Sequence, residues 1–125
     1  SVRNAFVNGD TLYRLPNTTS IAFEYVEGEA ILLLLNQEGI AASSGSACTS
    51  GSLEPSHVMR AMAIPYTAAH GTIRFSLSRY NTAQEVDRVI AAVPPVIARL
   101  RKLSPYWSGE APLAHPEEAF QPAYA

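Results

Sequence analysis

Only one cysteine, Cys48, occurs in the 125 residues, so the chain cannot close an internal disulfide. A lone thiol fits a reducing, cytoplasmic setting. Charge is sparse as well: nine Lys plus Arg stand against eleven Asp plus Glu, for a net charge of -2. The cations are spread thinly and leave no electrostatic footprint for nucleic acid or an anionic membrane, so neither is expected as a partner. Long apolar runs are missing. The longest, Ala30 to Leu35, is far too short to cross a bilayer, and the opening SVRNAFVNGD lacks the basic, apolar and cleavage regions of a signal peptide. The glycines form neither a P-loop nor a dinucleotide fingerprint. No histidine pair has metal-ligand spacing, one cysteine cannot build a zinc cluster, and no internal repeat is visible.

What is present suits one compact domain, because 47% apolar content supports a single core. TTSIAFEYV, Thr18 to Val26, is rich in β-branched and aromatic residues and reads as a strand. GEAILLLLNQEG follows and reads as a buried helix, with Glu27 and Glu29 at its start and Gly39 placed to end it. A short strand is expected at Ile40 to Ala42. EPSHVMRAMAI resumes helix, with Pro55 at its first position and Val58, Met59 and Met62 on one apolar face.

GTIRFSLS, Gly71 to Ser78, alternates Ile73, Phe75 and Leu77 with Thr72, Arg74 and Ser76, which buries one face and aims Arg74 out of the other. The last long helix is opened by a Thr82 to Glu85 capping box, and Pro94 and Pro95 predict a kink or break near Val93. After Trp107 the composition turns to proline and alanine without periodicity. The expectation is a small α/β domain over residues 1–107, with helices against one face of a small sheet, followed by an extended or disordered tail over residues 108–125.

Cys48 lies in AASSGSACTSGS, a stretch of small residues that cannot form a core. A structural cysteine normally sits among large apolar neighbours. Here the six preceding positions hold only alanine, serine and glycine, so the thiol reads as accessible and carried on a mobile loop. No cation adjoins it in sequence, so any activation comes from groups brought close in space. Arg74 admits two readings. It either covers an edge or pairs with a carboxylate of the chain, or it recognises a substrate carboxylate from a rigid strand. His57 reads as a helix-surface residue and His70 as a loop residue.

Taken together, SSGSACTSGSLEPSHVMRAM and AAHGTIRFSLSRYNTAQEVD resemble the C-terminal part of the NifS/IscS-type cysteine desulfurases, with IPYTAAHGTIRF most similar to the NifS branch. The resemblance extends through NGD, LPNTTSIAFEYVEGEAILLLL and RLRKLSPYW, leaving out the last eighteen residues. It implies the small domain of a fold-type I pyridoxal-phosphate enzyme with an extended, mobile cysteine loop. The activity implied is conversion of L-cysteine to L-alanine by a homodimer. By position, Cys48 matches the nucleophile that becomes a persulfide and Arg74 the arginine that binds the substrate α-carboxylate.

The implied partners are L-cysteine and an iron-sulfur scaffold protein that accepts the sulfur, in a nitrogenase-maturation setting. The implied cofactor is pyridoxal 5'-phosphate, and the family adds Cys48 as a transient iron-sulfur ligand together with the scaffold's cysteines. The family's Schiff-base lysine, however, lies in a larger N-terminal domain. Lys102 is the only lysine here and sits in no matching motif. The chain is therefore expected to need that domain for catalysis. The alternative is a non-catalytic sulfur carrier or scaffold-binding module.

Overall fold

A computed structural model describes residues 2–45, 57–109 and 111–112. Its main sheet has four strands, β1 (Ala5–Val7), β2 (Thr18–Phe23), β3 (Ser43–Ser44) and β4 (Thr72–Ser76), in the spatial order β1-β2-β4-β3 with every pairing antiparallel. The helices are α1 (Gly28–Gln37), α2 (His57–Ala61), α3 (Tyr66–Ala69) and α4 (Ala83–Leu103). A small hairpin of β5 (Trp107–Ser108) and β6 (Ala111–Pro112) follows α4. Residues 113–125, most of the expected tail, lie outside the described residues.

Alternation along β2 and β4 sends Ile21, Phe23, Ile73 and Phe75 to one face, where they meet α1 and α4. The core there comprises Phe23, Val26, Ile31, Leu35, Ile40, Ile73, Val96 and Ile97. Removing such side chains from water contributes about 1.5 to 3 kcal/mol each and is the main force holding both helices to the sheet. The expected packing of helices on one sheet face is thus realised by α1 and α4.

Several expectations need correction. β2 stops at Phe23, short of Val26, because Tyr25 adopts φ 62 and turns the chain. The helix after it is not buried all round: Ile31 and Leu35 face the core, but Leu33 is 62% exposed. The strand expected at Ile40 to Ala42 forms at Ser43–Ser44 instead. Gly39, at φ 74, ends α1 as expected, but Ile40 belongs to the same stop signal. Gly39 N donates to Asn36 O and Ile40 N to Leu35 O, both at 2.9 Å, while Ile40 buries its side chain in the core.

The helix expected to run through Ile64 ends at Ala61, with Ala63 at φ 55 before Pro65, and a separate short helix, α3, follows. Of its expected apolar face only Met59 is buried, Val58 and Met62 being 48% and 41% exposed. Pro55 lies outside the described residues. Thr72, expected on the polar face, is fully buried, and its hydroxyl donates to Ala68 O. Leu77, expected inside, lies beyond the end of β4 and is 45% exposed.

α4 opens with the expected capping box. Glu85 N donates to Thr82 Oγ1 at 3.2 Å, and Thr82 N to Glu85 Oε2 at 2.9 Å. The expected break at Val93 does not occur, and the helix is continuous through Pro94 and Pro95. Each proline removes a donor to the carbonyl four residues earlier, on Ile90 and Ala91; both residues are exposed, so water can take the place of the missing N–H. The hydrogen bond from the Thr82 backbone holds the Glu85 carboxyl below its ordinary pKa. A depressed carboxyl stabilises the fold fully above its unfolded-state pKa and loses that contribution as pH falls through the lower folded-state value. Glu85→Gln should therefore flatten part of the acid-side decline in melting temperature, measured against the parent chain across pH 2 to 6, about the carboxylate range.

Arg101, near the end of α4, is only 6% exposed and ties the chain's ends together. It donates to Arg3 O at 2.6 Å, Asn4 O at 3.0 Å and Glu24 O at 3.4 Å, and its guanidinium lies 4.1 Å from the centre of the Trp107 ring. Burial pushes its pKa down from the usual arginine value, with the Glu24 charge acting in the opposite direction.

Candidate functional site

Arg74 sits in the middle of β4, an interior strand of the sheet, on the face turned away from α1 and α4. Its register partners are Ser20 on β2 and Ser43 on β3. Directly opposed residues in an antiparallel pair share a face, so these two small hydroxyl residues flank the arginine and leave its long side chain uncrowded. The result is an exposed guanidinium on a rigid base, with no hydrogen-bond partner among the described residues. By contrast, Arg88 donates to Glu38 O, and Arg101 is held by three carbonyls. Of the two readings open for Arg74, pairing within the chain finds no support among the described residues.

The same face carries a polar row. Asn8, just past β1, donates from Nδ2 to Ser20 Oγ at 3.1 Å, and Asn8 N donates to Ser20 O at 2.8 Å. Thr18 Oγ1 and Ser76 Oγ stand 3.5 Å apart. Asn8 is 8% exposed, and its Oδ1 has no partner among the described residues. The sequence signal for this row was the NGD turn, but β1 spans only three residues between turn formers and left no periodicity to read.

The chain leading to Cys48 passes Arg74 at Ser43 and runs on along β4 as far as Thr72. Gly45, two residues after Ser43, donates its N–H to Thr72 O at 2.7 Å. A Cβ at Gly45 would lie 2.6 Å from Thr72 Cγ2, so only glycine lets the backbone press this closely on β4. Residues 46–56 lie outside the described residues, and the expectations for Cys48 and its loop lie there with them. The chain is described again from His57, exposed at the start of α2. His70 follows α3, and its carbonyl accepts from Gly28 N at 2.7 Å.

No group of three or more His, Cys, Asp or Glu residues able to hold a metal occurs among the described residues, and no helix among them is long and apolar enough to cross a membrane. Pyridoxal phosphate needs an amine for its Schiff base. Lys102 is the only lysine, exposed on α4, and α4 packs on the sheet face opposite Arg74. The residues present do not fit that cofactor.

Comparison with known proteins decides the family. The aminotransferase class-V model matches residues 2–89. The chain belongs to the class-V aminotransferases. Within this family it is 73% identical over 123 residues to the cysteine desulfurase NifS of Azotobacter vinelandii, and 74% identical to a cysteine desulfurase of Azotobacter chroococcum. Each alignment covers 98% of this chain and 31% of the relative, so the chain spans under a third of the length of the curated relatives it matches. A solved NifS-like protein from Rickettsia africae superposes with a TM-score of 0.65 at 29% identity, covering 77% of this chain and 24% of that one. The resemblance to NifS-type desulfurases, and the small α/β architecture expected with it, are borne out for this class-V chain.

Proposed function

We propose that this chain is the sulfur-handling part of a cysteine desulfurase whose remaining sequence supplies the pyridoxal phosphate site. The observation that carries the reading is the uncommitted Arg74 guanidinium, held on an interior strand that pairs with β3, the strand five residues ahead of Cys48 in the sequence at Ser43. Arg74 takes the α-carboxylate of L-cysteine through paired N–H donors, a geometry that a lysine cannot reproduce. That contact orients the substrate and leaves its sulfur facing Cys48.

Cys48, as thiolate, then attacks the substrate sulfur. An S–S bond forms on Cys48 and the substrate C–S bond breaks. The electron pair of that bond stays on carbon, which takes a proton and leaves as L-alanine. The persulfide passes its outer sulfur to an acceptor thiol on an iron-sulfur scaffold protein, in a cytoplasmic homodimer serving nitrogenase maturation. For the chain on its own, the lack of any lysine on the Arg74 face favours the narrower role of a sulfur carrier. Residues 1–107 form the working domain in this reading, and residues 108–125 an appended tail.

The test is substitution of Arg74 in the longer desulfurase. Arg74→Ala should raise the KM for L-cysteine by about thirtyfold or more, equivalent to about 2 kcal/mol for a lost charge-assisted pair. Arg74→Lys should recover only part of that loss. An unchanged KM in both variants would remove Arg74 from substrate binding.

A further inference from the structure

The polar row on the Arg74 face crosses the whole sheet. Val7 pairs with Ile21, and the bond from Asn8 N to Ser20 O at 2.8 Å carries that register one step past the end of β1. Ser20 in turn pairs with Arg74, and Arg74 with Ser43. Asn8, Ser20, Arg74 and Ser43 therefore stand side by side on one face.

The two serines beside Arg74 are not equivalent. Antiparallel partners alternate between hydrogen-bonded pairs and closer pairs without those bonds. Phe23 N donates to Gly71 O and Leu77 N to Asn17 O, which marks the odd positions from Asn17 to Phe23 as the hydrogen-bonded ones. Ser20 and Arg74 are thus a close pair, with Cα atoms about 4.5 Å apart. On the other side, the bond from Gly45 N to Thr72 O, two steps along, makes Ser43 and Arg74 a pair of the wider kind. Ser20 brings the nearer hydroxyl.

The hydrogen bonding of that hydroxyl is also set. Asn8 Nδ2 donates to Ser20 Oγ at 3.1 Å. A hydroxyl has one proton and two lone pairs, so accepting from Asn8 leaves the Ser20 proton for another acceptor. Arg74 offers only donors, and Ser20 Oγ donates to no group among the described residues. Asn8 is 8% exposed, and its Oδ1 is buried without a partner among the described residues, so the amide turns its N–H side to Ser20 at the expense of its oxygen. An unmatched buried acceptor is a poor way to build a row for stability alone. A carboxylate held by paired Arg74 N–H donors still has lone pairs on its outer sides, and an adjoining hydroxyl with its proton uncommitted is placed to fill one.

We infer that Ser20 Oγ–H is a second donor to the substrate α-carboxylate, set beside Arg74 and turned toward the ligand by Asn8. Ser20 is the binding residue and Asn8 the positioning residue behind it. The inference rests on the reading of Arg74 as the carboxylate ligand, and adds a neutral donor to the charged one.

The experiment compares L-cysteine with cysteamine, which has the same thiol and amine but no carboxylate, in the longer desulfurase loaded with pyridoxal phosphate. The KM for L-cysteine and the inhibition constant of cysteamine are measured for the parent, Ser20→Ala, Asn8→Ala and the double variant. Ser20→Ala should raise the KM for L-cysteine about tenfold, as expected for a lost charge-assisted hydrogen bond, and leave cysteamine inhibition within about twofold. Asn8→Ala should give a smaller rise by itself and none when added to Ser20→Ala, because both act on one bond. An unchanged KM in Ser20→Ala, or a rise matched by an equal weakening of cysteamine, would overturn the proposal. An Asn8→Ala rise that adds in full to that of Ser20→Ala would overturn the positioning role. Arg74→Ala, run alongside, separates the two claims. A raised KM there with Ser20→Ala unchanged sinks the Ser20 donor alone, whereas an unchanged KM there with Ser20→Ala raised sinks the reading of Arg74 and keeps the hydroxyl.

Discussion

Replacing Cys48 by serine in the longer desulfurase is expected to abolish sulfur transfer while leaving L-cysteine binding close to normal. Serine keeps the size of the side chain but supplies no thiolate and cannot hold a persulfide, so loss of the nucleophile should cost roughly 10³-fold or more in transfer rate. Binding should survive because Arg74, the proposed carboxylate ligand, lies on β4 and depends on strand pairing with Ser20 and Ser43 rather than on the loop. Chain connectivity supports the assignment. Cys48 follows Gly45 by three positions, so their Cα atoms are at most about 11 Å apart in an extended chain. Steady-state alanine formation and sulfur transfer to an acceptor thiol, measured side by side, check the prediction. A large rise in KM instead would point to a binding role for Cys48.

The second large effect is structural. Gly71 immediately precedes β4, and its carbonyl accepts from Phe23 N at 3.0 Å while its N–H donates to Ala68 O at 3.1 Å. A Cβ there would overlap the carbonyl oxygen of Phe23 and stand 2.8 Å from that of Val26. Both obstacles are backbone atoms, one at the end of β2 and one in the turn after it, which cannot rotate aside as a flexible side chain would. Gly71→Ala should therefore cost about 3 kcal/mol or more, at the upper end of overpacking penalties. Circular dichroism should show the unfolding midpoint falling by about 10 °C or more, because a domain of this size loses several degrees per kcal/mol. Arg74 lies three residues further on, within β4, so if it holds the substrate as proposed the substitution should also weaken binding even where the protein remains folded.

Local chemistry in the sequence anticipated much of this architecture. The Thr82 and Glu85 pair, the Gly39 stop, and the alternation that buries Ile73 while exposing Arg74 all depend on near neighbours, and all are present in the structure. What eluded the sequence depends on distant contacts. β1 exists because Ala5, Phe6 and Val7 pair with β2, and three residues carry no period of their own. Ile40 looked like a strand residue until its N–H was claimed by Leu35 at the helix end. Arg101 reads as one more cation in the last turn of an amphipathic helix. Its burial against Trp107 and three carbonyls comes from chain segments up to 98 positions away. At the site, the outward direction of Arg74 was legible, whereas its flanking serines and the Asn8 link to Ser20 needed the strand register.

The most direct measurement of the central claim follows the sulfur itself. The longer desulfurase, loaded with pyridoxal phosphate and given L-cysteine without an acceptor thiol, is trapped by alkylation, digested and weighed peptide by peptide. If this chain carries the sulfur-accepting thiol, the peptide containing Cys48 gains one sulfur atom, and Arg74→Ala at the same L-cysteine concentration sharply reduces that gain. L-alanine formed with the extra sulfur on another residue, and with the Cys48 peptide unchanged, would contradict the account.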